Sequence, residues 1–60
     1  MMKFEIWVKR KNAKRWWKSF TTESSKRADL IANNEMKVLC NAGVKVVCDD
    51  GYTKETLVYM

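Results

Sequence analysis

Sixty residues with twelve lysines and arginines, seven aspartates and glutamates and no histidine give a formal net charge of +5. A chain of this length makes one domain at most and buries only about 60 % of its unfolded surface, so its stability is marginal and a partner subunit remains open as support. Two cysteines without a histidine cannot build a structural zinc site, no apolar run approaches the roughly 18 residues that span a bilayer, and no signal-peptide pattern is present. The expected location is cytoplasmic.

From Met2 to Arg10 the chain alternates with period two, placing Phe4, Ile6 and Val8 on one side and Lys3, Glu5, Trp7 and Lys9 on the other, the pattern of a half-buried strand. Lys11 to Lys14 includes Asn12, a residue that tolerates a left-handed backbone, and predicts a turn that folds the chain back. Arg15 to Thr21 then reads as a second strand rich in aromatic and β-branched types. Phe20 should pack inward. Strict alternation from Phe20 turns Trp16 and Lys18 inward and leaves Arg15, Trp17 and Ser19 outside, whereas a bulge exchanges the two tryptophans. In either case one of Trp16 and Trp17 faces the helix and the other lies on the open face near Trp7.

Oxygen side chains at Thr21, Thr22, Ser24 and Ser25 suit a helix start near Glu23. Ala28, Ile31, Ala32, Val38, Leu39 and Ala42 share one helical face with Met36 at its margin, whereas Leu30 points almost opposite. Glu35 falls inside that apolar face and should reach the edge or meet a base such as Lys18. Asn41-Ala42-Gly43 predicts the helix end, with Gly43 in a positive-φ cap. Val44 to Cys48 reads as a third strand with Val44, Val46 and Cys48 inward. Asp49-Asp50-Gly51 marks a hairpin turn, and a last strand from about Tyr52 to Tyr59 turns either Leu57 and Tyr59 or Val58 inward, the first pair being favoured.

The expected fold class is α+β: a ββαββ domain over residues 1–60, with a four-stranded antiparallel sheet and one helix on one face. Sheet order 2-1-3-4 keeps every neighbour antiparallel and the crossover short, with 1-2-4-3 as the alternative. One sheet face is left to water or a partner. That need, with Leu30 and Val47 as candidate oligomer contacts, suits a homodimer.

Function is sought in the charge distribution. Residues 9–18 hold six of the twelve basic side chains and none of the seven acids, leaving six bases against seven acids elsewhere. The positive charge is therefore local. Lys9, Arg10, Lys11, Lys14, Arg15 and Lys18 suit a polyanion whose counterions are released on binding, and Trp7 with Trp17 supplies rings for bases to stack on. The expected protein is a small basic nucleic-acid binder without enzymatic activity, using this hairpin and the open face. DNA and RNA are not distinguished. The alternative is a protein-interaction module, such as a phage-type inhibitor, that lays the same surface on an acidic host protein; small size and simple architecture suit that class. Charged hairpins also keep sheet edges soluble.

No histidine, glycine-rich phosphate loop or activated nucleophile argues for catalysis, and no cofactor is implied. Asp49 and Asp50 are explained as turn formers, since a hard cation needs more oxygen ligands than two neighbours supply. Cys40 and Cys48 are expected as reduced thiols, with a disulfide or redox pair as the lesser alternative. The chain lacks both the aromatic sheet motifs of the common RNA-binding module and the helix pair of a helix-turn-helix.

Overall fold

The alternating first segment forms β1 (Lys3–Arg10), followed by β2 (Trp17–Thr22), α1 (Ser25–Met36), β3 (Asn41–Asp49) and β4 (Lys54–Val58) in the computed structural model, which describes residues 2–60. The sheet is antiparallel throughout, in the order β2-β1-β3-β4. The ββαββ α+β fold and the 2-1-3-4 order match the sequence expectation. No helix among the described residues is long and apolar enough to cross a membrane.

Ile6 and Val8 of β1 meet Val44 and Val46 of β3 beneath Ala28 and Ala32 of α1, and all six are buried. Phe4, Ile31, Met36, Cys48 and Tyr59 pack around them. The alanines bring the helix close to the sheet. One helix, about 10 Å across, cannot roof four strands spaced about 4.8 Å apart. It lies over β1 and β3, reaches β2 and leaves β4 uncovered. Phe20 and Leu57 therefore point to the helix side, opposite Ile6 and Val46, yet remain about half exposed at 47 % and 51 %. Tyr59 is tied to the helix by its hydroxyl, which donates to Asp29 Oδ1 at 2.7 Å.

The helix starts as its capping residues predict, with Ser24 Oγ accepting from the Arg27 N–H. Its end differs from expectation. It stops at Met36 with Lys37 as the C-cap, a turn follows, and Asn41, Ala42 and Gly43 belong to β3. Val38, Leu39 and Ala42 consequently do not join the helical face; Leu39 is 88 % exposed. The reason is tertiary: β1 is long enough to pair with β3 from Lys3–Asp49 to Arg10–Asn41, and each further strand residue gains a partner that an extended helix would forgo. Asn41, only 3 % exposed, replaces the expected glycine cap. Its Nδ2 donates to the Glu35 carbonyl at 2.8 Å, and its Oδ1 accepts from Arg10 Nη1 at 2.6 Å.

Gly43 has a different task. It is buried in β3, and a Cβ placed on it would lie 2.5 Å from Cη2 of Trp16. The glycine provides room for an indole, as glycine inside a strand often does for a close approach. The positive-φ glycine among the described residues is Gly51, at φ 95° in the β3–β4 turn. There Asp50 Oδ1 accepts from the backbone N–H of Thr53 and of Tyr52, both at 2.8 Å, and Asp49 Oδ1 accepts from the Gly51 N–H at 2.9 Å. The two aspartates do act as turn formers.

Two stability measurements follow from this packing. Gly43→Ala should lower stability by about 1–3 kcal/mol in urea denaturation through overpacking against Trp16, and much less in a Trp16→Ala background; equal costs in both backgrounds would separate the two residues. The Thr53 and then the Tyr52 backbone N–H hold the Asp50 carboxyl below the usual carboxylate range. A lowered folded-state pKa contributes stability above the unfolded value that is lost as pH falls through the folded one. The stability lead of wild type over Asp50→Ala should therefore shrink in acid, and a lead that grows on acidification would contradict the turn geometry.

Candidate functional site

A bulge in β2 decides which side chains share the open face. Ile6 pairs with Phe20, but Trp7 pairs with Lys18, so Ser19 is an extra residue and alternation reverses across it. Trp17, opposite the core residue Val8, faces the helix side, which is the bulged alternative of the two that the sequence leaves open and not the place beside Trp7 that the expected binding set gave it. Trp16 and Lys18 take the open face instead. Ser19, turned to the helix side by the bulge, donates its hydroxyl to Glu35 Oε2 at 2.7 Å. Ser19 thus takes the place beside Glu35 expected of Lys18, and Lys18 instead approaches Glu5 Oε2 at 3.9 Å.

Trp16 reaches across β1 to β3. Its indole fills the space above Gly43, and the Lys45 ammonium sits 4.4 Å from a ring centroid, a cation–π contact. Trp7 lies half-buried nearby, its Nε1 donating to Glu5 Oε1 at 3.2 Å. By register the strands place five lysines on this face, Lys3, Lys9, Lys18, Lys45 and Lys54, against two carboxylates, Glu5 and Asp49. Val47 and Val58 add apolar area between them.

The predicted basic residues divide into three groups. Lys9 and Lys18 belong to the open face with Trp7. Lys11, Lys14 and Arg15 are exposed in the β1–β2 loop, which begins where the Lys11 N–H donates to the Cys40 carbonyl at 2.8 Å. Arg10 turns to the helix side, with Nη1 on Asn41 Oδ1 and 3.1 Å from Cys40 Sγ, and its guanidinium 5.7 Å from the Trp17 ring centroid. It is thus committed to holding the loop base. Leu30, 60 % exposed on the helix, and Val47, on the open sheet face, lie on different surfaces and do not form one contact patch.

Trp16 and Lys45, joined by their cation–π contact, are absent from the predicted binding set, as are Lys3 and Lys54 on the same face. The signal for Trp16 was faint: a glycine within the β-rich run Ala42 to Cys48 marks a close approach but does not say which of two adjacent tryptophans makes it. No pocket is found among the described residues.

Cys40 and Cys48 are free thiols. Burial and then the Glu55 carboxylate push the Cys48 thiol up, which lowers its thiolate fraction near neutral pH, while Cys40 is exposed. Alkylation followed by mass spectrometry should label Cys40 well before Cys48 in the native protein, with the difference narrowing in denaturant; faster labelling of Cys48 would contradict its packing. No family, curated protein or solved structure matches this chain.

Proposed function

We propose that this chain is a non-enzymatic nucleic-acid-binding protein that engages phosphates with the β1–β2 loop and the adjoining open sheet face. One observation carries the reading. Lys9, Lys11, Lys14 and Arg15 form no ion pair with a carboxylate among the described residues, and they border a face on which five strand lysines meet two acids. Uncompensated cations gathered at one end and along one plane attract a polyanion, and release of its counterions makes the association salt-sensitive. Solubility alone does not call for such asymmetry, because the remaining charges of the chain nearly balance.

The roles differ by position. Lys11, Lys14 and Arg15 contact phosphate from the loop, Lys9, Lys18 and Lys45 continue that track over the sheet, and Trp7 and Trp16 supply apolar surface beside it. Lys18 gives less than its neighbours because Glu5 already offsets its charge. Arg10 and Trp17 support the loop from the other side and touch the ligand little.

The charge-reversed double variant Lys11→Glu, Lys14→Glu tests this. Its affinity for an oligonucleotide at about 50 mM salt should fall at least about tenfold, and the slope of log K against log salt should flatten by roughly 0.7–0.9 for each phosphate no longer engaged. Unchanged affinity and slope would remove the loop from the interface. A partner captured from lysate that survives nuclease treatment, with no oligonucleotide affinity in the pure protein, would favour an acidic protein surface as the ligand.

A further inference from the structure

We infer, on the basis of the nucleic-acid reading above, that the ligand is a single strand laid over the open sheet face with a base stacked on Trp16, and not a duplex entered by the basic hairpin. Entry into a major groove requires a projecting ribbon or helix. The β1–β2 hairpin does not project as a ribbon. Its two-stranded pairing ends at Val8–Trp17, while Lys9 and Arg10 pair with β3 instead. The loop base is then fastened inward, by the Lys11 N–H on the Cys40 carbonyl and by Arg10 on Asn41. What remains free is a short basic loop beside the open sheet face.

That face suits unpaired bases. Trp16 is half-buried, held at one end by the gap over Gly43, and the terminal ammonium of Lys45 lies over its ring. A lysine ammonium on a flexible stem is a removable cover. When a phosphate arrives Lys45 can move to it, and the vacated indole face accepts a base; a stacked base outweighs an exposed cation–π contact. Charge and aromatic surface thus act on adjacent parts of one nucleotide. A duplex keeps its base faces inside its own stack and gains only the phosphate part.

Because Trp16 also packs on Gly43, replacing it perturbs the fold, so the decisive change is made in the ligand. Binding is measured at low salt to an oligothymidylate and an oligouridylate of about 12 nucleotides, to a duplex with the same number of phosphates, and to an abasic strand of the same length. Both single strands should bind about tenfold more tightly than the duplex, and removal of the bases should cost about tenfold or more. The DNA and RNA arms separate the two sources of the strand. Photocrosslinking a halogenated-uracil strand should then place the adduct on Trp16. A duplex or abasic strand that binds as well as oligothymidylate overturns the inference while leaving phosphate binding intact, as does an adduct confined to Trp17. Absence of binding to every ligand overturns both readings.

Discussion

The contact between Trp16 and Gly43 governs more of this molecule than its area suggests. An indole that crosses from the β2 side to β3 requires a position without a Cβ, and it must leave β2 on the open face, which the extra residue Ser19 permits. The same bulge turns Ser19 towards Glu35 and Trp17 towards Arg10. One inserted residue thus supplies the open face with an aromatic cover, the helix with a hydrogen bond for its Glu35 carboxylate and the loop base with a cation–π contact. Bulges characteristically re-aim side chains in this way.

Asn41 is the counterpart on the other side of the sheet. A short domain can spare few residues for connections, and the chain passes from Met36 to Asn41 through a tight turn. One buried amide then closes the last helical turn through the Glu35 carbonyl and receives Arg10 from the end of β1. Both of these hydrogen bonds are shielded, and an unmade one would leave a buried polar group at a cost of about 1–3 kcal/mol. Helix length, strand length and loop anchorage are therefore set together. Arg10, which contributes to the positive charge of residues 9–18, acts as a structural member here.

Element order, sheet order and inward strand residues were legible because they rest on local pattern: alternation in β1 and β3, serine caps before α1 and aspartates before Gly51. Ile6, Val8, Val44 and Val46 occupy the core that their spacing implies. The helix end was not legible and the tryptophan placement was legible only as two alternatives, for a common reason. Asn41-Ala42-Gly43 is locally a good helix terminus, and Lys18-Ser19-Phe20 gives no local sign of a bulge. Each is settled by a partner distant in sequence, β1 in the first case and Gly43 in the second. The candidate site followed the same division. Its charges were read from composition, whereas its aromatic element depends on register, and a shift of one residue sends a side chain to the opposite face.

On the proposed reading the open face has two physical roles. Trp16 with the stems of its neighbours forms a thin second layer over β1 and β3, protecting a sheet that a single helix covers on one side only. The same side chains are the ones a ligand would meet. Among the described residues six hydrophobic side chains are buried; stability is a small difference between large terms, and a ligand that binds the folded state alone adds RT ln(1 + [L]/Kd), about 2.7 kcal/mol at a hundredfold excess over Kd. That increment is a large share of what so small a core can provide. On the proposed reading, a ligand on the side that lacks a helix would couple occupancy to folding, because it would cover the sheet face that α1 leaves open.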